Sequence, residues 1–566
     1  VRPTVLIGHR GAGKTSLLSR YAGLGFSTLD LDREIENRTG RRVSEIFQND
    51  GEDAFRKIER ETFASLPVQG IVAVGAGFPV DQIGNEWHTI WVRRATDEAG
   101  RIFTDRPRLD SSLSALDEFH HRARVREPRY AARADAVLIL DEGVEDANDP
   151  AERAYLLDQV NLEGATLTIT KFPRDLARWL APRLRWKLKF FELRDDLLSD
   201  DEIDEALRVI PSENVLISYR RKSSKIRENY ACDWALELGP PPFEPTYLSL
   251  HHGKLEDLHH PRAHLKAALL TETFEDLMRG HRWQMEDPSR RVFLPMSPDG
   301  RWSWYRNLRR DYSLNFIRES EGSASDQPTL LQWLRKPTAR TFAAVLGDPV
   351  KHSRTPMEQR EFFAKKGIPV FAIRVPETEW QSAIDALTEL GLTHAAVTAP
   401  LKHKAAELIG SPKPINTLYF PNMNVNVNMN VKRKTFPHGT NTDLTGLRKA
   451  AALLPPTNSQ AVWGGGGTLD VIKQVFPNAE LVSVRTGLIR GTNAKPTSPE
   501  LVIWAASLKS LENPPSDWAP EIVFDLNYSE ASPARDYAMK VGAKYISGLV
   551  MFRAQAQAQR EFWSKF

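Results

Sequence analysis

A chain of 566 residues, 41% of them hydrophobic and 26% charged, is too long for one hydrophobic core and predicts three domains of roughly 100 to 200 residues each. Its net charge of +3, from 76 basic and 73 acidic residues, excludes the basic bias of a chain that grips nucleic acid through phosphates, and no apolar run approaches the roughly 20 residues that span a bilayer. The single cysteine, Cys232, excludes an internal disulfide framework and a Cys-based zinc module, and fits a reducing cytosolic or nuclear compartment.

The first residues, VRPTVLIG, already read as a strand, so further sequence is expected before Val1. From 1 to about 152, short β-rich runs at 5–7, 71–74 and 136–140 alternate with helical periodicity, which predicts an α/β domain with a parallel sheet. GHRGAGKT at 8–15 follows a strand and opens a helix, the setting of a phosphate-binding loop. Gly11, Ala12 and Gly13 would present backbone N–H groups to phosphates, Lys14 would neutralise charge, and Thr15 would hold Mg²⁺. DLD at 30–32, FRKIE at 55–59, Gly75-Ala76-Gly77, RPRL at 106–109 and REPRY at 126–130 follow in order, and the segment resembles the shikimate kinases. The resemblance implies ATP with Mg²⁺ on Thr15 and Asp32. It places Asp32, Arg56, Gly77 and Arg126 around the hydroxyls and carboxylate of shikimate, with Arg106 in a lid. Arginine suits that task because its fork pairs bidentately with a carboxylate. The family's triple glycine is interrupted by Ala76, whose methyl group is expected to obstruct close approach of a ligand.

After an acidic linker at 141–152, strand-like runs recur between 160 and 336, with polar residues at their ends, which predicts a (β/α)₈ barrel. FELRDDLL at 191–198 puts Glu192, Arg194 and Asp196 on one strand face at period two. With SYR at 218–220, SLHH at 249–252 and HLKAA at 264–268, this segment resembles type I 3-dehydroquinases. The resemblance implies Arg220 as a substrate contact, His251 as the proton-moving histidine, Lys266 as the Schiff-base lysine, and Ser323 and Gln327 in a closing loop. Two features depart from it: a family Ser-Arg pair reads Ser303-Trp304, and the interval from His251 to Lys266 is short. The basic stretch Arg220-Arg221-Lys222 reads as a solvated loop rather than a nucleic-acid patch.

The last segment, 338–566, predicts two α/β lobes: a substrate lobe to about 445, then a Rossmann-like lobe to about 540 and a C-terminal helix returning to the first. The run MNVNVNMNV at 423–431 reads as an exposed hairpin without function. GDPVKHSRTP at 347–356, VTAPLK at 397–402, INT at 415–417 and GTNTD at 439–443 resemble the shikimate dehydrogenases. The resemblance implies Ser353, Thr355, Thr398, Asn416 and Gln555 as ring-acid contacts and Lys402 with Asp443 as the proton-handling pair. It also implies a cofactor turn at Gly464, Gly466 and Gly467, with Arg485 and Thr486 near an NADP 2′-phosphate. Leu469 and Asp470 stand where the family has Arg and Ala, and an acid beside a pyrophosphate argues against NADP. A family Asn is Ala396, which removes one polar contact.

Kinase, dehydroquinase and dehydrogenase in this order resemble the C-terminal three domains of the fungal pentafunctional arom enzyme, and equally the fungal quinate repressors, relatives that lost catalysis. Departures in all three segments favour the repressor type. Expected partners are then quinate, dehydroquinate or shikimate as effector and a transcription activator resembling the arom N-terminal half, with no direct nucleic-acid contact, no membrane, and a nuclear or cytoplasmic location. The alternative is an active multifunctional shikimate-pathway enzyme; in a mixed state the kinase-like pocket binds ATP as a regulatory ligand.

Overall fold

Four sheets form from the apolar runs. The computed structural model describes residues 3–23, 25–94, 110, 112–140, 161–173, 175–222, 225–310, 312–318, 322–334, 339–350, 353–421, 437–465, 468–492, 494–506, 512–528 and 532–566. It divides into two units, Val1–Lys336 and Pro337–Phe566. Arg106, Gly466, Gly467, the linker at 141–152 and the run at 423–431 lie outside the described residues.

In the first unit, β1 (Thr4–Ile7), β2 (Thr28–Asp30), β3 (Ile71–Ala73), β4 (His88–Arg94) and β5 (Ala136–Leu140) form a parallel sheet in the order β2-β3-β1-β4-β5. Every residue of β1 is buried, as a strand covered on both faces requires. One side of its core holds Val5, Ile7, Phe55, Phe63, Trp87 and Trp91.

Eight further parallel strands follow: β6 (Ala165–Thr168), β7 (Phe190–Arg194), β8 (Val215–Tyr219), β9 (Ala231–Ala235), β10 (Tyr247–Leu250), β11 (His264–Ala267), β12 (Arg291–Phe293) and β13 (Asn315–Ile317). Their order, β12-β11-β10-β9-β8-β7-β6-β13, is the cyclic order of a (β/α)₈ barrel with its seam between β12 and β13. Helices Leu176–Arg183, Asp200–Val209, Phe274–Met285 and Ser303–Leu308 lie in four crossovers, and Leu330–Leu334 follows β13. Among the described residues, the crossovers after β8, β9 and β10 hold no α-helix. Pro240, Pro241, Pro242 and Pro245 account for one of these, since proline removes the donors a helix needs. Phe190, Leu216, Tyr247, Val292, Leu294 and Phe316 fill one interior cluster, over which the charged groups sit.

The second unit begins with β14 (Phe342–Gly347), β15 (Val370–Arg374), β16 (Leu392–Val397), β17 (Thr417–Tyr419) and β18 (His438–Thr440), in the order β15-β14-β16-β17-β18 with β17 and β18 each antiparallel to the strand before. A second sheet, β19 (Gln460–Gly464), β20 (Glu480–Val482), β21 (Leu501–Ala505), β22 (Ile522–Asp525) and β23 (Lys544–Ile546), is parallel throughout in the Rossmann-like order β20-β19-β21-β22-β23. Helix Leu549–Trp563 returns to the first lobe, where the Trp563 indole donates to the Leu418 carbonyl at 3.0 Å. A Cβ on Gly446 would collide with Gln555, so glycine permits this return. Ala396 packs in an apolar cluster with Ala343, Val345, Phe363 and Trp563.

Candidate ligand pockets

The phosphate-binding loop leaves β1 through Gly8, whose backbone φ is 146°; a Cβ there would run into the Val92 carbonyl. Gly11 and Gly13 are also left-handed, at φ 81° and 95°, so the tight path needs glycine at each. Lys14 Nζ donates to the carbonyls of Gly8 and His9 at 2.8 and 3.0 Å, and Thr15 Oγ1 donates to Asp30 Oδ2 at 3.1 Å. The carboxylate beside Thr15 is thus that of Asp30 and not of Asp32. Loop N–H groups, Lys14, Thr15 and Asp30 suit a magnesium-bound nucleoside triphosphate. Bound, it would supply a transferable phosphoryl group.

Across β3 lies a cluster of Asp32, Arg56, Glu59 and Arg126. Arg56 donates to Glu59 at 2.7 Å and to Glu52 at 3.1 Å. A Cβ on Gly77 would collide with the Arg56 guanidinium, and one on Gly75 would stand 2.7 Å from Glu59 Oε1. Ala76 has no left-handed backbone, and its carbonyl accepts the Tyr130 hydroxyl at 2.5 Å. Ala76 thus has ordinary backbone geometry, between two glycines whose added Cβ atoms would meet the side chains of Glu59 and Arg56. Burial raises Glu59, and burial with Asp30 nearby raises Asp32. Burial, with Arg122 and Arg56 close by, lowers the Arg126 guanidinium, for which the described residues provide no ion pair. A ligand carboxylate would relieve that crowding. Gly77→Ala is expected to displace Arg56 and weaken binding of a carboxylate ligand there by about tenfold, the worth of one charge-assisted hydrogen bond; calorimetry with a ring carboxylate checks this.

Inside the barrel, Glu192 accepts the hydroxyls of Thr168 at 2.5 Å and Ser218 at 2.6 Å. Arg194 is held bidentately by Asp196 at 2.9 and 2.7 Å. Asp196 lies in the turn beyond β7, which corrects its placement on the strand face. Arg220 and Lys266 both reach Asp233. The His251 backbone N–H donates to Glu237 at 2.6 Å, with the ring Nδ1 3.6 Å from the other carboxylate oxygen. Burial lowers His251. It also pushes the Glu237 carboxyl up, but the hydrogen bonds from His251 and its neighbours outweigh this and bring it to about 2. Gln327 donates to Ser323 at 2.9 Å, and Asp326 fastens the same loop by accepting the Trp302 N–H at 2.6 Å and the Ser297 hydroxyl at 2.9 Å. Trp304 is buried edge-on to Tyr305, with ring centroids 6.0 Å apart.

In the second unit, Asp443 gathers a pocket. It accepts Lys402 Nζ at 2.5 Å, Asn416 Nδ2 at 2.8 Å and Gln555 Nε2 at 2.5 Å. Asn416 is oriented in turn by the Thr442 N–H at 2.8 Å and the Thr417 hydroxyl at 2.9 Å. Ser353 and Thr355 lie 3.2 Å apart through their hydroxyls, and the Thr398 methyl covers Gly347. Asp443 with its three donors is a polar cluster suited to a hydroxylated ring acid.

The cofactor lobe is built differently. A Cβ on Gly464 would stand 2.7 Å from the Ala506 nitrogen, and one on Gly465 2.8 Å from Leu469 Cδ1. The Leu469 side chain therefore packs against Gly465. Arg490 donates to the carbonyls of Gly464 and Gly465 at 3.1 and 3.3 Å. Arg485 and Thr486 are exposed beyond β20, and Asp470 sits in the first turn of helix Leu469–Val475. An apolar side chain against Gly465 and an acid in the first turn of the following helix are unfavourable neighbours for a pyrophosphate.

Sequence reading overlooked Asp30, Glu59, Asp233, Glu237 and Arg490. Asp30 and Glu59 stand within the quoted DLD and FRKIE motifs, and Asp233 could have been noticed only as a charge inside a strand.

Residues 10–150 match the shikimate kinase family, and residues 345–415 match the shikimate dehydrogenase substrate binding domain. Shikimate kinase of Thermobifida fusca is 51% identical over 76 residues, 13% of this chain and 44% of that protein. The Bacillus cytotoxicus enzyme is 37% identical over 91 residues, 15% of this chain and 54% of that protein. The chain thus spans about half the length of these two curated relatives. Shikimate kinase of Coxiella burnetii is 33% identical over 149 residues, 24% of this chain and 83% of that protein. Among solved structures, shikimate dehydrogenase of Aquifex aeolicus is 20% identical, with 40% of this chain and 93% of that one covered and a TM-score of 0.31. The Thermus thermophilus enzyme in complex with shikimate gives 20%, 40%, 93% and 0.32. By the extent of the Coxiella burnetii match, the chain belongs to the shikimate kinase family through its first domain, and the same polypeptide carries a shikimate dehydrogenase-like substrate domain.

Proposed function

We propose that the chain is a ligand-sensing repressor of quinate utilisation: quinate, dehydroquinate or shikimate enters a retained pocket and controls binding to a transcription activator resembling the arom N-terminal half. One observation carries this reading. Lys402, Asn416 and Gln555 converge on Asp443, while Leu469 packs against Gly465 at the start of the glycine turn. Such a domain binds a ring acid without transferring hydride from it. A ligand shifts an association equilibrium only through differential affinity for the free and bound states, so the effector needs a pocket and not turnover.

The intact phosphate-binding loop adds ATP as a second regulatory ligand. The near-neutral charge favours a protein partner over DNA, and among the described residues no helix is long and apolar enough to cross a membrane. The protein would act in the nucleus, the cytoplasm or both. The second reading, an active multifunctional shikimate-pathway enzyme, is favoured by the same loop and by the close Lys402–Asp443 pair.

Calorimetry on the full chain with ATP, shikimate, quinate and dehydroquinate separates the two when run beside turnover assays for phosphorylation, dehydration and NADP-dependent oxidation. The expected result is a ring-acid heat that NADP leaves unchanged and that Gln555→Ala weakens by about tenfold, the loss of one charge-assisted hydrogen bond's worth of pocket order. Robust turnover in two of the three domains would overturn the regulatory reading.

A further inference from the structure

A cavity of about 190 Å³ lies where the N-terminal sheet meets the barrel, and Asn85, Arg133, Asp135, Asp175, Arg178 and Trp179 are among the residues that line it. Arg133 closes helix Ala115–Arg133, the helix that carries Arg126, and Arg178 stands on the barrel helix Leu176–Arg183. Two guanidiniums, one from beside the sheet and one from the barrel, thus face one space. At roughly 30 Å³ for each water, that space has room for a hydrated ion.

The carboxylate that the two cations share is already well occupied. Asp135 accepts Nε and Nη2 of Arg178 at 2.8 and 3.1 Å and the Thr89 N–H at 2.8 Å, with His88 Nδ1 3.8 Å away. Arg133 stands off from it: Nη1 is 3.6 Å from Asp135 Oδ2, too far for a hydrogen bond, and that nitrogen is buried without a hydrogen-bond partner. The other nitrogens of Arg133 are committed, Nε to the Ile83 carbonyl at 3.0 Å and Nη2 to the Gly84 carbonyl at 2.7 Å. The side chain is only 10% exposed, so bulk water does little for the remaining protons. Burial, with Arg178 close by, lowers this guanidinium to about 10, as befits a cation short of negative charge. The other acids at hand, Asp175 and Glu86, are both exposed. Asp175 accepts the Arg178 backbone N–H at 2.9 Å, and solvent and salt screen both.

The donors left over do not make a fork. Arg178 spends Nε and Nη2 on Asp135 and one Nη1 proton on the Asn85 side-chain oxygen, which leaves one Nη1 proton and the Asn85 amide N–H groups for a ligand. With Arg133 Nη1, these donors come from three side chains. A carboxylate is gripped by two parallel bonds from one guanidinium, and neither arginine has two such bonds to give. A tetrahedral oxyanion takes single bonds from several directions, so phosphate matches this set better than a carboxylate does.

We propose that this junction is a phosphate site: inorganic phosphate lodges between Arg133 and Arg178, accepts the Arg133 Nη1 proton that no protein group takes, and ties the helix that carries Arg126 to the barrel. The cavity shares no lining residue with the phosphate-binding loop or with the ring-acid clusters. The proposal goes beyond the regulatory reading and does not depend on it. Because phosphate binds only where both arginines are brought together, it stabilises the docked arrangement of sheet and barrel by mass action.

Thermal melting and calorimetry of the full chain with inorganic phosphate test this, with chloride at equal ionic strength as the reference and acetate as the carboxylate arm. Phosphate at roughly ten times its dissociation constant is expected to raise the melting temperature of the first unit by about 2 to 4 °C, and acetate to leave it unchanged. Phosphate also suits the phosphate-binding loop, so the measurements are repeated in Lys14→Ala, where the shift is expected to persist. Arg133→Gln removes the charge and is expected to weaken phosphate binding by about tenfold or more. Arg133 also holds two carbonyls, so Asn85→Asp serves where the glutamine variant fails to fold. That change is on an exposed residue and keeps an acceptor for Arg178, yet it sets a negative charge at the cavity and is expected to weaken phosphate by a similar factor. A shift absent from the wild type or lost in Lys14→Ala would overturn the proposal. So would phosphate binding unchanged in Asn85→Asp or in folded Arg133→Gln, or acetate acting as strongly as phosphate.

Discussion

Asp443→Ala is expected to abolish ring-acid binding in the C-terminal unit and to lower its melting temperature by roughly 6 to 12 °C, the shift that about 3 kcal/mol produces in a unit of this size. The carboxylate is 5% exposed and accepts three donors, from Lys402, Asn416 and Gln555. Removing it strands an ammonium and two amides where water enters poorly, and breaking a buried pair costs more than the pair contributes. The figure stays at the low end because the Lys402 side chain is 22% exposed and can turn partly to solvent. Asp443→Asn keeps the shape and one acceptor oxygen and should lose about half as much. Calorimetry and thermal melting on the three proteins check this; a ligand affinity unchanged in the alanine variant would show that the pocket lies elsewhere.

Arg178→Ala is expected to cost about 3 kcal/mol and to split unfolding of the first unit into two steps, the N-terminal sheet melting before the barrel. Arg178 lies on the helix after β6, yet its Nε and Nη2 donate to Asp135, beside β5 of the other sheet, at 2.8 and 3.1 Å. Nη2 also reaches the Trp87 carbonyl at 3.3 Å, and Nη1 reaches Asn85. Asp135 keeps the Thr89 N–H at 2.8 Å and has Arg133 3.6 Å away. A cavity of about 190 Å³ lined by Asn85, Arg133, Asp135 and Arg178 adjoins the pair. Water entering it would hydrate the orphaned carboxylate, which holds the cost near the lower end for a broken buried pair. Arg178→Lys retains the charge but not the fork and should fall between. Differential scanning calorimetry checks the result; a single unchanged transition in the alanine variant would mean the contact carries no coupling.

The phosphate-binding loop was legible because it is local. Strand, glycines, lysine and helix lie within a dozen residues, and the φ values at Gly8, Gly11 and Gly13 follow from sterics that a sequence displays. Locality says less about Ala76. A motif marks three glycines as equivalent, but only the fold brings Arg56 against Gly77 and Glu59 against Gly75, leaving Ala76 with ordinary backbone geometry. The short barrel crossovers were hidden because strand-like runs reveal strands, whereas absent helices leave no positive signal.

Composition, periodicity and spacing by themselves determined that this is a chain of α/β domains, where its phosphate loop lies, and which charged residues stand at strand ends. Each depends on neighbours within a few residues or on period-two and helical patterning. Tertiary structure alone decided which charges meet. Asp233 lies 33 residues from Lys266, Arg178 43 from Asp135, and Gln555 112 from Asp443. The state of a buried charge depends on which opposite charge the fold carries to within contact of it, because in a low-dielectric interior the electrostatics of that one contact outweighs everything nearby in sequence.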